Sequence, residues 1–307
     1  MPVTRDEVIW GYRYILGRDP EDEAVIELHG QAHDIRTFRR DLMTSDEFVQ
    51  TYWGTISRDI QPARFSKGPK LVFLHLPKCG GTTLAQLLAH HFLSEEICPL
   101  RQNELGRWPI GLLASYRFFH GHFDMPSVRL LPGEKRIVTM LREPRTRLHS
   151  MYYFLKAHRD EMNADGLAGL AHSLALKDFL LHEAAQRHMW INNTMVRALA
   201  STSVDDDPDA ALKEAKCALS DCAAIGLMER FDESLPRIFA AFDSAPPEAD
   251  YERLNVLDTV MHERPELMPV EREAPLSPDH PAIARHISLD ARLYDFACDL
   301  YDRQGSA

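Results

Sequence analysis

No stretch of this chain approaches the ~18 consecutive apolar residues that a membrane-spanning helix needs, and its longest apolar runs are strand-sized. The opening Met1-Pro2-Val3-Thr4-Arg5-Asp6-Glu7 lacks the basic-then-apolar order of a secretory signal. Cysteine is sparse. Cys79, Cys98, Cys217, Cys222 and Cys298 are odd in number and include no CxxC pair, which argues against a disulfide framework and against a zinc site. Positive charge is also short: 35 Lys and Arg face 46 Asp and Glu, for a formal net charge of −11. Generic nucleic-acid binding is therefore disfavoured, and an anionic ligand would need a local basic pocket. These absences predict a protein of a reducing, cytoplasmic compartment, at most peripheral to a membrane, with no membrane span and no nucleic-acid partner.

The 307 residues, 45% of them apolar, suffice for one sizeable α/β domain and a small appendage. The spacing of Val8, Ile9, Tyr12, Ile15 and Leu16 predicts a first helix that stops at Gly17, and Asp19-Pro20 reads as the cap and first turn of a second. Ile35, Phe38, Leu42 and Met43 mark a third, and Ser45 caps a short fourth. Polar residues 57–70, with Pro62, Gly68 and Pro69, read as a linker. The expected division is 1–60, a small helical domain, and 66–307, a larger domain.

Beyond the linker, residues 71–76, 116–123, 136–141 and 223–228 read as strands. Helices are expected over 82–92, 144–158, 168–200, 208–222 and 231–242, with a last one carrying Leu289, Leu293, Phe296 and Leu300. Strands alternating with helices predict an α/β fold with a parallel sheet. Residues 202–209 form an acidic loop, and the Pro- and Glu-rich stretch 262–281 reads as a lid or substrate loop.

The segment Leu71-Val72-Phe73-Leu74-His75-Leu76-Pro77-Lys78-Cys79-Gly80-Gly81-Thr82-Thr83 combines a strand, a small-residue turn and a helix start. Such a turn is an anion cradle: amides at the helix start point outward, the helix dipole adds positive potential, and glycines allow close approach. Lys78 adds a full charge, and Thr82 and Thr83 add hydroxyls. It is not a Walker A loop, because in G-x-x-x-x-G-K-S/T the lysine follows the glycines, whereas Lys78 precedes them.

The order Pro-Lys-x-Gly-Gly-Thr-Thr after a strand resembles the 5′-phosphosulfate loop of sulfotransferases, and its His-x-Pro-Lys form is most similar to the carbohydrate branch related to heparan and chondroitin enzymes. Arg142-Glu143-Pro144-Arg145-Thr146-Arg147-Leu148-His149-Ser150 resembles that family's 3′-phosphate motif, with Arg142 and Ser150 at the phosphate-holding places. In Phe118-Phe119-His120-Gly121-His122-Phe123, a segment similar to the His-x-His of heparan 2-O-type enzymes, the second histidine maps to the general base, His122. Histidine suits that task near neutral pH. On a strand His120 and His122 would share a side, so His120 could orient the base or touch substrate. Glu143 is a rival base.

The resemblance, over roughly residues 68–300, implies a P-loop-like three-layer α/β/α fold with a central parallel sheet. It implies 3′-phosphoadenosine-5′-phosphosulfate as sulfuryl donor, no metal, and a hydroxyl acceptor on a glycan or glycoconjugate. It assigns cofactor binding to Lys78, Cys79, Gly80, Gly81, Thr82, Thr83, Arg142 and Ser150, and catalysis to His122 and Lys78. Softer likenesses run over 192–197, which suggests Arg197 or Arg187 for an anionic acceptor, and over 224–235. Arg145 and Arg147 read as a solvated helix start. Residues 5–52 are similar to phycobilisome-linker repeats, which implies a role in binding another protein, beside the plainer reading of a helical cap. A P-loop nucleotide-dependent kinase and a non-catalytic scaffold remain as alternatives.

Overall fold

The computed structural model describes residues 3–31, 34–43, 45–48, 68–158, 166–246, 269–274, 276–277 and 280–305. The chain divides into two compact units, Met1–Phe65 and Ser66–Ala307. The linker expected at 57–70 lies outside the described residues except for its last three positions.

The first unit is helical: α1 (Arg5–Gly11), continuing as a π-helical turn over Tyr12–Leu16, then α2 (Glu23–Gly30), α3 (Ile35–Met43) and α4 (Asp46–Phe48). Val3, Val8, Tyr12, Leu16, Ile26, Phe38 and Leu42 form its core. Ile35 and Met43 face outward, so only Phe38 and Leu42 of the expected α3 stripe are buried. The cap of α2 is Asp22, whose carboxylate accepts from the Val25 amide at 3.0 Å. Asp19, the expected cap, instead pairs with Arg13 at 2.5 Å. Arg18 pairs with Glu47 at 2.5 Å, which ties the segment Tyr14-Ile15-Leu16-Gly17-Arg18-Asp19-Pro20 to Ser45-Asp46-Glu47-Phe48.

The second unit is α/β. Its elements run β1 (Lys70–Leu74), α5 (Gly81–Ala89), α6 (Ile110–Ser115), β2 (Phe118–Gly121), α7 (Met125–Arg129), β3 (Lys135–Leu141) and α8 (Pro144–Ala157). Then follow α9 (Leu167–Ser173), α10 (Leu176–Leu181), α11 (Glu183–Arg187), α12 (Thr194–Leu199), α13 (Pro208–Ser220), β4 (Ala224–Leu227), α14 (Phe231–Ala240) and α15 (Pro281–Gly305). The four strands form one parallel sheet in the order β2-β1-β3-β4. β1 is buried along its whole length, as a central strand covered on both faces must be.

The single helical stretch expected over 168–200 is broken into four short helices. The break before α12 is held from elsewhere in the chain. Asp290, on α15, accepts from the amides of Met195 and Val196 at the start of α12. Arg147, on α8, takes the carbonyls of Trp190 and Ile191. Asn193 stands at φ 44° before α12, and its side-chain oxygen accepts from Leu289 and Asp290. Periodicity within 168–200 carries no trace of partners supplied by α8 and α15.

Among the described residues no helix is long and apolar enough to cross a membrane, and none of their His, Cys, Asp and Glu side chains gather in a group that could hold a metal ion.

Candidate active site

β1 leads to β2 on one side and β3 leads to β4 on the other, so the neighbours β1 and β3 are the pair at which the strand order reverses. In open parallel sheets the ligand crevice lies outside the carboxyl ends of such a pair. The turn 75–80 follows β1 there, Arg142 follows β3, His122 follows β2, and Met228 and Glu229 follow β4. Parallel pairing thus brings three separate sequence motifs to one sheet edge.

The turn after β1 is strained. Lys78 has φ 65° and Gly80 φ 75°; left-handed backbone costs a non-glycine residue about 1–2 kcal/mol. Arg142 compensates, donating from Nη1 to the Lys78 carbonyl at 3.1 Å and closing the turn across the strand reversal. α5 then starts at Gly81 after Gly80, which has no side chain to cap its amides. Lys78 places its ammonium over the Phe154 ring, 3.9 Å from the centroid. Ser150 stands one turn before Phe154 on α8, hence on the same face, and its hydroxyl makes no hydrogen bond among the described residues. Thr82 is half-buried and Thr83 buried.

Both glycines are also closely packed: a Cβ on Gly80 would stand 2.2 Å from Met228 Sδ, and one on Gly81 would stand 2.0 Å from the His75 ring. At Gly80 the flexible Met228 side chain can yield, and the left-handed φ of 75° is what favours glycine there. Cys79 faces the core, where burial pushes its thiol up to about 12, and its amide donates to Leu76 at 3.3 Å. Cys79 therefore shapes the turn and offers no side-chain donor to a ligand.

The residue that sequence reasoning left without a role is His75. It stacks on Phe73 at 5.3 Å and packs against His122 at 4.5 Å, and its ring fills the space over Gly81. Its carbonyl lies 2.7 Å from His122 Nδ1. A carbonyl can only accept, so Nδ1 carries the proton and Nε2 keeps its lone pair. Burial lowers the His122 pKa, the hydrogen bond to the His75 carbonyl offsets part of that, and nearby Lys78 lowers it again. His122 is thus held neutral with one basic nitrogen, the form a general base needs. His75 is held well below the ordinary imidazole range, first by burial and then by its histidine neighbours.

His120 lies within β2. It pairs in register with Phe73 inside the sheet and stacks on Phe118 at 5.0 Å. Burial lowers its pKa to about 4. The chain leaves β2 after Gly121, and strand alternation no longer governs His122.

Glu143 is occupied. Its carboxylate caps α8, accepting from the amides of Arg145 and Thr146 at 3.1 and 2.9 Å. Burial alone would raise its pKa, but these hydrogen bonds and the Arg145 side chain hold it below the usual range. It is a helix cap and a poor base.

The arginines divide. Arg145 is exposed and pairs with Glu143 at 3.0 Å. Arg147, expected in solvent, is fully buried 4.0 Å from Asp290. Arg187 pairs with Glu183 on the surface, and Arg197 pairs with Asp205 at 2.6 Å. Both are paired in place, Arg187 on the surface and Arg197 largely buried. Within the expected lid, residues 262–268 lie outside the described residues, but Glu273 is anchored on α8 by Tyr152 at 2.6 Å and Lys156 at 2.9 Å.

Compared with known families and proteins, the chain matches no family model and no curated protein.

Proposed function

We propose that this chain transfers a sulfuryl group from 3′-phosphoadenosine-5′-phosphosulfate to a hydroxyl of an acceptor, in keeping with the carbohydrate sulfotransferases its motifs resemble. The observation that carries the reading is the neutral His122, fixed through Nδ1 to the carbonyl of the same turn that bears Lys78, whose own carbonyl Arg142 holds. A base and the cations for a doubly phosphorylated nucleotide are thereby linked through one turn at one sheet edge.

The donor set suits that nucleotide. An uncapped helix start with a lysine beside it fits one phosphate, and an arginine with a serine on the following helix fits a second. The nucleotide, when bound, supplies the sulfuryl group on a phosphate leaving group. The chain's residues do the rest. Amides of Gly80, Gly81, Thr82 and Thr83 hold the 5′-phosphate. Lys78 balances the charge that grows on the bridging oxygen as its bond to sulfur breaks. Arg142 and Ser150 hold the 3′-phosphate and set the register. His122 Nε2 takes the acceptor's hydroxyl proton as the new oxygen–sulfur bond forms. Preorganised charge of this kind is often the largest catalytic contribution.

The test is transfer of labelled sulfate from the nucleotide to glycans. Wild type transfers label, while Lys78→Ala and His122→Ala each lose about 100-fold or more. An absence of transfer to any hydroxyl acceptor, together with tight binding of ATP and magnesium, would favour a kinase instead.

A further inference from the structure

The turn between α11 and α12 carries Trp190, whose ring stands beside His122 with centroids 6.5 Å apart and planes at 53°. The indole is half-buried. It packs against the core cluster that also receives Phe154, the ring under Lys78, and the rest of its surface is open. Its position is fixed from several sides. The Trp190 amide donates to His188 Nδ1 at 3.2 Å, and its carbonyl accepts from Arg147 Nη1 at 3.1 Å. The next carbonyl, of Ile191, accepts from Arg147 Nη2 at 3.4 Å. The His188 ring meets the indole edge-on at 5.5 Å.

Arg147 makes this turn a built feature. A guanidinium with no solvent exposure is costly to bury unless it is paired and hydrogen-bonded, and the hydrogen bonds of Arg147 go to the two carbonyls at Trp190 and Ile191. The fold thus commits a buried charge to holding a partly open aromatic ring next to the base. An indole face is electron-rich and attracts the polarised C–H groups on the apolar face of a pyranose, while a few polar groups at the edge fix orientation. Here the nearby polar group is His122, with its free Nε2.

We infer that Trp190 is the platform on which the acceptor's sugar ring stacks, presenting one hydroxyl to His122. This inference rests on the sulfuryl-transfer reading and names the acceptor side of the same site. It commits the acceptor to a cyclic sugar and assigns the turn 188–193 to acceptor selection.

The experiment uses the full chain with Trp190→Ala and Trp190→Phe. Calorimetry measures binding of adenosine 3′,5′-bisphosphate. Labelled transfer is measured to unsulfated heparosan and chondroitin tetrasaccharides and to concentrated glycerol, which has no ring face. Trp190→Ala raises the tetrasaccharide KM about tenfold, with Trp190→Phe recovering most of it. Nucleotide affinity and transfer to glycerol stay at wild-type levels. An unchanged tetrasaccharide KM overturns the platform. So does a fall in nucleotide affinity, which would make Trp190 an adenine contact. So does an equal loss toward glycerol and sugars, or wild-type transfer to glycerol but to neither tetrasaccharide. Failure of wild type to transfer to any acceptor removes the sulfuryl-transfer reading itself, and the platform with it.

Discussion

His122 illustrates how a fold can set the tautomer and charge of one side chain. A backbone carbonyl selects its tautomer, burial keeps it neutral, and His75 packs against its ring. His122→Asn keeps a polar side chain of similar reach but removes the basic nitrogen. It is expected to bind adenosine 3′,5′-bisphosphate as wild type does and to lose transfer by about 100-fold or more. Equal loss of nucleotide affinity would mean that His122 acts through the turn and not as the base. Because the His122 pKa lies below the ordinary imidazole value, the acid limb of the rate profile should fall below about pH 6.5. A pH–rate series on kcat/KM locates that limb.

The candidate residues were legible in sequence where chemistry is local. Lys78, Arg142 and His122 each follow a strand, and strand ends can be read from apolar runs. His75 was legible as a motif member but not as a neighbour, because its packing on His122 crosses from β1 to β2. Trp190 left no signal, since an aromatic between two helices reads as core until its surroundings are known. Arg147 misled in the opposite direction: a charged residue in the first turn of a helix looks solvated, and its burial depends on partners far along the chain, the carbonyls of Trp190 and Ile191 and the carboxylate of Asp290.

At the scale of elements, α8 gathers more of the site than its motif suggests. Its start follows Arg142, its buried face carries Arg147, and its next turns carry Ser150, Phe154 and the Tyr152–Lys156 anchor for Glu273. Arg147→Met leaves Asp290 buried without its partner and should destabilise the protein by about 3–5 kcal/mol. Urea denaturation measures this, and pairing the change with Asp290→Asn should recover part of the loss. A drop below 1 kcal/mol in Arg147→Met, the range of exposed pairs, would deny the pair its structural role. The turn before α5 is equally sensitive. Gly81→Ala puts a methyl where the His75 ring stands, so it should disturb the His122 imidazole resonances in an NMR pH titration even where the protein stays folded. Unmoved His122 resonances would show that the ring has room to shift.

Strand positions and the parallel sheet were readable because buried strands and crossover helices alternate along the chain. The break before α12 was not, because its causes are tertiary: a buried aspartate, a buried arginine and an asparagine, each tied to a distant partner.

At the scale of the whole molecule, the two units have cores of their own. Val8, Tyr12 and Phe38 belong to one cluster, and the sheet belongs to another. A chain of residues 66–307 should therefore fold cooperatively and bind adenosine 3′,5′-bisphosphate with the affinity of the full chain. The histidines also set a pH dependence. His75, His120 and His122 all have folded pKa values below the unfolded one. Below about pH 6.5 the unfolded chain binds more protons. Their contribution is thus present above that pH and is lost as pH falls through the folded values, about 4 for His120. His120→Phe should flatten the stability curve over this window in denaturant titrations, and an unchanged slope would remove His120 from the account.

The central claim is that one sheet edge holds a nucleotide phosphorylated at both 3′ and 5′ positions, and calorimetry of adenosine 3′,5′-bisphosphate beside adenosine 5′-monophosphate tests it most directly. Wild type should prefer the bisphosphate by about tenfold or more, and Arg142→Ala should erase that preference. Equal affinity for the two nucleotides in wild type, or a preference that survives Arg142→Ala, would contradict it.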